Sequence, residues 1–190
     1  MARPRQFDEE RAVDAAMRAF WATGYEGTST QDLCEATGLG RSSIYNTFAS
    51  KHDLFERALR RYMDDKDDAI FDLLAAGEPA KERIGALIRQ AVEPPGDDPA
   101  GCLVVNSMIE LAPRDPEIAA LLDRNLERRL DALMAVIRQG QHAGEIDAGK
   151  DPRTLALFVT ATISGMRVAA RGGADRTTLD AIATTALGAF

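Results

Sequence analysis

The amino-acid sequence predicts an all-helical protein, and three observations support this fold class. Residues with high helix propensity, above all Ala, Leu, Arg and Glu, dominate the composition, while aromatic residues make up only 6% of the chain. Helix-start signals recur along the whole chain. No segment alternates between apolar and polar residues with the period of two that predicts a half-buried strand. At 190 residues, the chain can build one sizeable core, or a small domain and a larger one.

Helix starts are marked by hydroxyl or acidic residues. The segment 28–31 (TSTQ) fits a capping box with Thr28 as the N-cap, and the segment 50–53 (SKHD) fits a second one. Asp115 and Asp151 each precede a proline, a residue favoured at the first helical position. These signals, combined with apolar residues at helical spacing, predict nine helices, at residues 8–24, 29–36, 41–48, 51–76, 79–93, 102–112, 116–141, 152–172 and 176–189.

Composition excludes several classes of protein. No apolar run approaches the roughly 18–20 residues that span a bilayer, and the N-terminus lacks the apolar stretch of a signal peptide. Cys34 and Cys102 do not form a disulfide framework, and His52 and His142 are too far apart in sequence for a histidine metal site. We expect a cytoplasmic protein that contacts no membrane and needs no metal or cofactor.

Enzymatic activity is not expected either. The sequence contains no G-x-S-x-G motif, no P-loop, no dinucleotide fingerprint and no cluster of metal ligands.

The charge distribution limits any role in nucleic-acid binding. The net charge is −7, but residues 1–61 carry nine basic and nine acidic residues, so the whole deficit lies in the remainder of the chain. Because nucleic-acid binders are usually basic, DNA binding by this chain has to depend on where individual cations are placed.

The segment 37–51, TGLGRSSIYNTFASK, combines glycines, hydroxyls, aromatics and cations. Gly38 can adopt the left-handed conformation that ends one short helix and reverses the chain. Ile44 and Phe48, four residues apart, can anchor a second short helix inward. The opposite face is compact and polar, which suits insertion into a DNA major groove. Its side chains are Ser42, Ser43 and Asn46, flanked by Arg41, Tyr45 and Thr47. The pattern predicts a helix-turn-helix.

The segment 24–55, GYEGTSTQDLCEATGLGRSSIYNTFASKHDLF, resembles the helix-turn-helix of the TetR family of transcriptional regulators. The preceding AFWATGY fits the first helix of that family, and residues 101–111, GCLVVNSMIEL, resemble a segment found in one of its branches. The specific likeness covers about 50 residues, and the others match in helix number and length. The resemblance implies a DNA-binding domain at residues 1–50 and a ligand-binding and dimerisation domain at residues 51–190.

The resemblance also implies roles for individual residues in the DNA-binding domain. Tyr45 and Lys51 would clamp the DNA backbone, and Thr28 would contact phosphate through its side chain or through the helix N-terminus. Arg3 and Arg5 would form a basic arm that reaches a neighbouring groove or phosphate. The residues facing bases would be Arg41, Ser42, Ser43 and Asn46. Simple packing for Tyr45, and idle solvated arginines at the N-terminus, remain alternatives.

In TetR-like proteins the last two helices of each subunit form a four-helix bundle. The segments 155–170 and 179–190 suit this, because they are apolar on more than one face and rich in small residues. A homodimer is therefore expected, with intrachain core as the alternative for these helices.

The larger domain of the family senses small molecules, and methionine-rich walls adapt to apolar ligands. Asn106 interrupts an apolar helix, where it could bond a ligand or face solvent. The candidate pocket residues are Met63, Phe71, Leu103, Asn106, Met108, Met134, Phe158 and Met166.

The expected function is a homodimeric, ligand-responsive repressor. Its partners would be a near-palindromic double-stranded DNA operator and a small-molecule effector. Two alternatives remain open. Cys102 at a helix start could be a reactive thiol that senses electrophiles or oxidants, although Asp97 and Asp98 oppose thiolate formation. The chain could also be an interaction protein whose helix-turn-helix no longer binds DNA.

Overall fold

The computed structural model describes residues 3–93 and 98–190, with side chains from residue 9 onward. This part of the chain forms nine α-helices and no strand, which confirms the all-α prediction. The helices are α1 (Arg3–Thr23), α2 (Thr30–Thr37), α3 (Arg41–Thr47), α4 (Lys51–Ala75), α5 (Ala80–Arg89), α6 (Leu103–Glu110), α7 (Pro116–His142), α8 (Pro152–Arg171) and α9 (Arg176–Leu187).

The chain divides into two compact units that do not follow chain order. Unit 1 comprises the residues up to Asp65 together with Leu103–Leu122, and unit 2 comprises Lys66–Cys102 together with Asp123–Phe190. The boundaries fall within α4 and α7 and just before α6. A functional boundary at residue 50 stays a prediction.

The core of unit 1 is built on aromatic side chains. Phe20 and Trp21 are both buried, as the sequence predicts. The Phe20 ring packs edge-on against Phe55, with 5.1 Å between centroids, and Trp21 packs edge-on against Tyr62 at 4.8 Å. Edge-to-face pairs of this kind add about 0.5–1.5 kcal/mol to the stabilisation from burial alone. They fix α1 against the first half of α4.

The start of α2 corrects the predicted capping box by one residue. Ser29, with extended backbone, is the N-cap: its Oγ accepts a hydrogen bond from Asp32 N, and the Asp32 carboxylate accepts one from Ser29 N. The assignment of Thr28 and Gln31 to these positions was wrong. Thr28 instead turns into the core, where its hydroxyl donates to the carbonyl oxygen of Gly24 at 2.6 Å.

The predicted starts of α4, α7 and α8 have capping side chains, whereas α1 begins at Arg3 and not at the predicted residue 8. Ser50 Oγ accepts a hydrogen bond from Asp53 N as predicted, while the Asp53 carboxylate accepts one from Ala49 N instead of from Ser50 N, so the predicted capping box is formed only in part. Asp115 and Asp151 each accept backbone N–H groups in the first turn of the helix that follows them.

Unit 2 packs α5, α8 and α9 around an aliphatic core with residues from α7. The core includes Ile84, Ile88, Leu130, Ile137, Val159 and Met166. This unit also buries a charge. Asp67 accepts hydrogen bonds from Arg129 Nε at 2.6 Å and from Asn125 Nδ2 at 2.8 Å, so the desolvated carboxylate is compensated. Within the described residues, no helix combines the length and apolarity needed to cross a membrane.

Candidate nucleic-acid interface

The α2-turn-α3 segment of unit 1 has the geometry of a helix-turn-helix. Gly38 ends α2 in the left-handed conformation, with φ at +68°, and the chain turns into α3 within three residues. Ile44 and Phe48 anchor α3 in the core, at 1% and 0% exposure. The predicted inward anchors are confirmed, and they decide which face of α3 points outward.

The outward face of α3 is polar. Arg41, Ser42, Ser43, Tyr45 and Asn46 are all exposed, and Thr47 is half-buried. Within the described part of the chain, the side chains of Ser42, Ser43 and Asn46 form no hydrogen bond. Hydroxyl and amide groups in this state can exchange water for the base edges of a duplex.

The Tyr45 side chain contacts residues of both helices of the motif. Its hydroxyl lies 3.1 Å from Thr30 Oγ1 in the first turn of α2, and the Arg41 guanidinium lies 5.8 Å from the centre of its ring. This places the tyrosine hydroxyl, the Thr30 hydroxyl and the N-terminus of α2 together at the surface. Sequence reasoning missed Thr30 because it placed the start of α2 one residue too early.

Thr28 does not present its side chain to this surface. It is fully buried, and its Oγ1 also lies 2.6 Å from Thr23 Oγ1. A phosphate contact from the Thr28 side chain is therefore incompatible with this conformation. A contact through the N-terminus of α2 stays a prediction. α1 begins at Arg3, but the side chains of Arg3 and Arg5 lie outside the described residues.

Lys51, the first residue of α4, is held by an aromatic ring. Its Nζ lies 4.4 Å from the centroid of Tyr25, a cation–π contact. The Tyr25 ring packs in turn against Phe55 at 5.0 Å. Partial burial, followed by the nearby carboxylates of Glu26 and Asp115, raises the pKa of Tyr25, so the ring under the lysine stays neutral.

The eight candidate effector residues are divided between the two units. In unit 1, Met63 and Leu103 are buried, Met108 is exposed, and the amide Nδ2 of the half-buried Asn106 has no hydrogen-bond partner among the described residues. In unit 2, Met134 and Met166 are buried, Phe71 is half-buried and Phe158 is exposed. Their grouping into one pocket stays a prediction.

Cys102 is half-buried, and its reactivity also stays a prediction. No group of three or more potential ligands that could hold a metal ion occurs among the described residues.

Comparison with known protein families identifies the family of this chain. Residues 12–58, which include α2, α3 and the first residues of α4, match the family model "Bacterial regulatory proteins, tetR family". Residues 80–186 match the model "Tetracyclin repressor-like, C-terminal domain". The chain belongs to the TetR family of transcriptional regulators. Residues 103–122 therefore match the C-terminal model of the TetR family while packing within unit 1.

Individual TetR-family proteins are similar over nearly the whole chain. The HTH-type transcriptional repressor ComR of Escherichia coli (strain K12) is 37% identical, covering 97% of this chain and 90% of its own. The HTH-type transcriptional regulator YezE of Bacillus subtilis (strain 168) is 34% identical, covering 83% and 81%.

A solved structure matches the fold at similar identity. It is a cysteine mutant of the TetR-family regulator CifR in complex with a 26 bp double-strand operator DNA. It superposes with a TM-score of 0.86 at 32% identity, covering 99% of this chain and 100% of that one.

Proposed function

We propose that this TetR-family regulator is a repressor that binds a near-palindromic operator as a homodimer and releases it when a small molecule binds. The observation that carries the proposal is the exposed polar face of α3, held outward by the buried Ile44 and Phe48. The similar CifR is seen on operator DNA, and the similar ComR is a repressor. We assign its site of action to the cytoplasm, where a bacterial regulator meets its operator.

DNA-binding proteins make two kinds of contact: contacts to phosphates, which position the protein on the duplex, and contacts to base edges, which specify the sequence. Ser42, Ser43 and Asn46 would read base edges, and Asn46 could pair with adenine by accepting a hydrogen bond with its amide oxygen and donating one from its NH2 group. Tyr45, within α3, and Lys51, the first residue of α4, would contact phosphates. We add Thr30 to these phosphate contacts, because its hydroxyl lies beside that of Tyr45.

A homodimer supplies the second reading helix. One α3 reads only a few base pairs, whereas two copies read half-sites about 34–36 Å apart. The surface we assign to the dimer lies on α8 and α9, where Leu157, Phe158 and Val168 are exposed apolar residues. An open groove beside them is lined by Thr162, Thr177, Thr178, Ala181, Ile182 and Thr185.

Release by an effector requires a preference between two conformations. To move the dimer from 99:1 in favour of the DNA-binding form to 1:99, the effector must prefer the other form by about 10⁴-fold. The proposed role is regulatory, and no catalytic step is assigned to any residue.

The test begins with selection of a duplex from a random-sequence pool by the purified protein. Its affinity is then measured by fluorescence anisotropy over a range of salt. Replacing both Tyr45 and Lys51 by Ala should weaken binding to every duplex. It should also reduce the slope of log Kobs against log[salt] by about 1.8 per dimer, since each of the two Lys51 ammonium groups neutralises a phosphate and contributes about 0.9, whereas the uncharged Tyr45 hydroxyl releases no counterion.

The matched control is Asn46→Ala, which removes a base contact but no phosphate contact. It should lower the preference for the selected duplex over a scrambled one by about 1–3 kcal/mol per base contact and leave the salt slope unchanged. Failure of the wild type to select any sequence would favour the interaction protein without DNA binding. An unchanged salt slope in the Tyr45→Ala, Lys51→Ala variant would contradict the assigned phosphate contacts.

A further inference from the structure

Glu110, the last residue of α6, binds the turn that follows α1. Its two carboxylate oxygens accept hydrogen bonds from Tyr25 N at 2.9 Å and from Glu26 N at 2.7 Å, across more than 80 residues of sequence. Backbone N–H groups that donate to a carboxylate form charge-assisted hydrogen bonds, which are stronger than neutral ones. One side chain thus fixes two consecutive peptide groups.

Gly24 makes this approach possible. Its φ is +84°, and a Cβ at this position would lie 2.9 Å from Glu110 Oε2. Any other residue would be strained in this conformation and would also push the carboxylate away. The segment from Gly24 to Glu26 is therefore shaped to receive the Glu110 carboxylate.

The turn that Glu110 fixes carries the ring on which Lys51 rests. Tyr25 follows Gly24 directly, and the Lys51 ammonium lies 4.4 Å from its ring centroid. Tyr25 and Lys51 are on different elements, so their contact depends on where the backbone of the turn lies. The bond from Thr28 to Gly24 and the packing of Tyr25 on Phe55 hold this turn locally, and Glu110 adds a restraint from a third element, α6.

A second contact joins the same region to the start of α4. His52, the neighbour of Lys51, has Nε2 at 2.6 Å from Asp115 Oδ2. Arg114 also forms an ion pair with Glu26 of the turn. Both of these side chains are more than half exposed, and exposed ion pairs contribute little to stability. The backbone of the turn is constrained by the two hydrogen bonds that Glu110 accepts, and not by the other contacts that residues 110–115 make to it.

We propose that Glu110 is a positioning residue for DNA binding: it holds the Tyr25 turn so that the Lys51 ammonium stands ready for a phosphate. Glu110 itself touches no DNA in this arrangement. The inference rests on the proposed function, because it presupposes that Lys51 binds the DNA backbone.

The decisive variant is Glu110→Gln. An amide keeps one acceptor but turns an NH2 group toward the second backbone N–H, so one of the two hydrogen bonds is lost. We expect the salt slope on the selected duplex to fall by about 1.8 per dimer, one phosphate contact in each subunit. At 0.15 M salt this corresponds to roughly 30-fold weaker binding. Arg114→Ala, which removes only the exposed ion pair, should keep the wild-type slope.

A double-mutant cycle separates positioning from general stability. If Glu110 acts through Lys51, Glu110→Gln should cost little further affinity in a Lys51→Ala background. A purely structural role predicts a lower unfolding temperature, the same loss of affinity in both backgrounds and an unchanged salt slope, and that result would overturn the proposal. If Glu110→Gln does not fold, Glu110→Asp replaces it in the same cycle with the same criteria. Failure of wild-type protein to bind any duplex would instead reject the proposed function.

Discussion

Asp115, which lies between α6 and α7, links the first turn of α7 to the start of α4. Its Oδ1 accepts hydrogen bonds from Glu117 N and Ile118 N, and its Oδ2 lies 2.6 Å from His52 Nε2. The hydrogen bond from Ile118 N lowers the pKa of Asp115. Partial burial opposes this effect, and the contact with His52 reinforces it. The Asp115 carboxylate therefore stabilises the folded protein only while it is ionised.

Asp115→Asn tests this dependence. When folding lowers the pKa of a carboxyl group, the ionised group stabilises the folded protein. This contribution is complete at pH values above the unfolded-state pKa of about 3.9, and it is lost as the pH falls through the folded-state pKa. Because Asn is also a good N-cap, the substitution removes mainly the charge. Urea unfolding between pH 2.5 and 5.5 should show a difference in free energy between wild type and variant that is largest near pH 5 and shrinks toward acid pH. A difference independent of pH would contradict the assignment.

Single residues also show how far the site could be read from the sequence. Ile44 and Phe48 were identified as anchors because their spacing of four is a local signal. Which of Thr28, Ser29 and Thr30 is the N-cap of α2 could not be identified in the same way, because three adjacent hydroxyl residues are equivalent as caps in sequence. Burial of Thr28 against Gly24 settles that choice, and this contact arises only from the way the chain turns after α1.

At the scale of the element, the turn between α2 and α3 depends on one glycine more than on the other. Gly38 has φ at +68°, whereas Gly40, the N-cap of α3, has φ at −68°. A Cβ added at either position would meet no atom within 4 Å. The two sites therefore differ in backbone conformation and not in available space.

The same substitution at both positions should have opposite effects. Gly38→Ser forces a side chain into the left-handed region and should destabilise the protein by about 1–2 kcal/mol. Gly40→Ser introduces an N-cap hydroxyl where α3 has no side-chain cap, and should stabilise it by a few tenths of a kcal/mol, about the advantage of Ser over Gly as an N-cap. Urea midpoints of the two variants measure this directly. Equal destabilisation at both sites would show that the turn tolerates no side chain at all.

The helices could be predicted because their start signals are local. Their ends were less accurate: α5 stops at Arg89, and the buried Ala91 and Val92 pack as a turn rather than as helix. The membership of α6 in unit 1 could not be predicted. It depends on contacts such as that of Glu110 with Tyr25, and in sequence Glu110 is only an acidic residue that follows an apolar run.

For the whole molecule, the balance of charge explains how an acidic protein can offer a cationic surface. The net charge is −7. Along α4, arginines are neutralised by carboxylates: Arg57 by Glu9 and Asp53, and Arg60 by Glu56. Within the described part of the chain, neither Arg41 nor Lys51 forms an ion pair with an acid. In our proposal these two cations are therefore available to DNA, Lys51 for a phosphate and Arg41 on the face of α3 that meets the bases.

The apolar surface of α8 is the other property of the whole molecule with a consequence for function. Leu157 and Phe158 are adjacent and each at least 40% exposed. Exposed apolar side chains mark candidate interaction sites, and the open groove beside Phe158, lined by small residues of α9, offers space for a partner helix. In our proposal a second copy of the chain binds at this surface of α8 and α9.

Phe158→Glu tests that assignment together with its effect on DNA binding. A carboxylate in a closed apolar interface is strongly unfavourable, so the variant should sediment as a monomer at micromolar concentration, where the wild type is expected to be a dimer. Because two linked half-site contacts gain about 10²–10⁴-fold over one, affinity for the selected duplex should fall by a factor in that range. Ala135→Glu is the control: Ala135 is exposed on α7, so the variant adds the same charge outside α8 and α9 and should change neither property. A Phe158→Glu variant that remains dimeric would place the subunit interface elsewhere, and a monomer with undiminished affinity would show that one α3 suffices for binding.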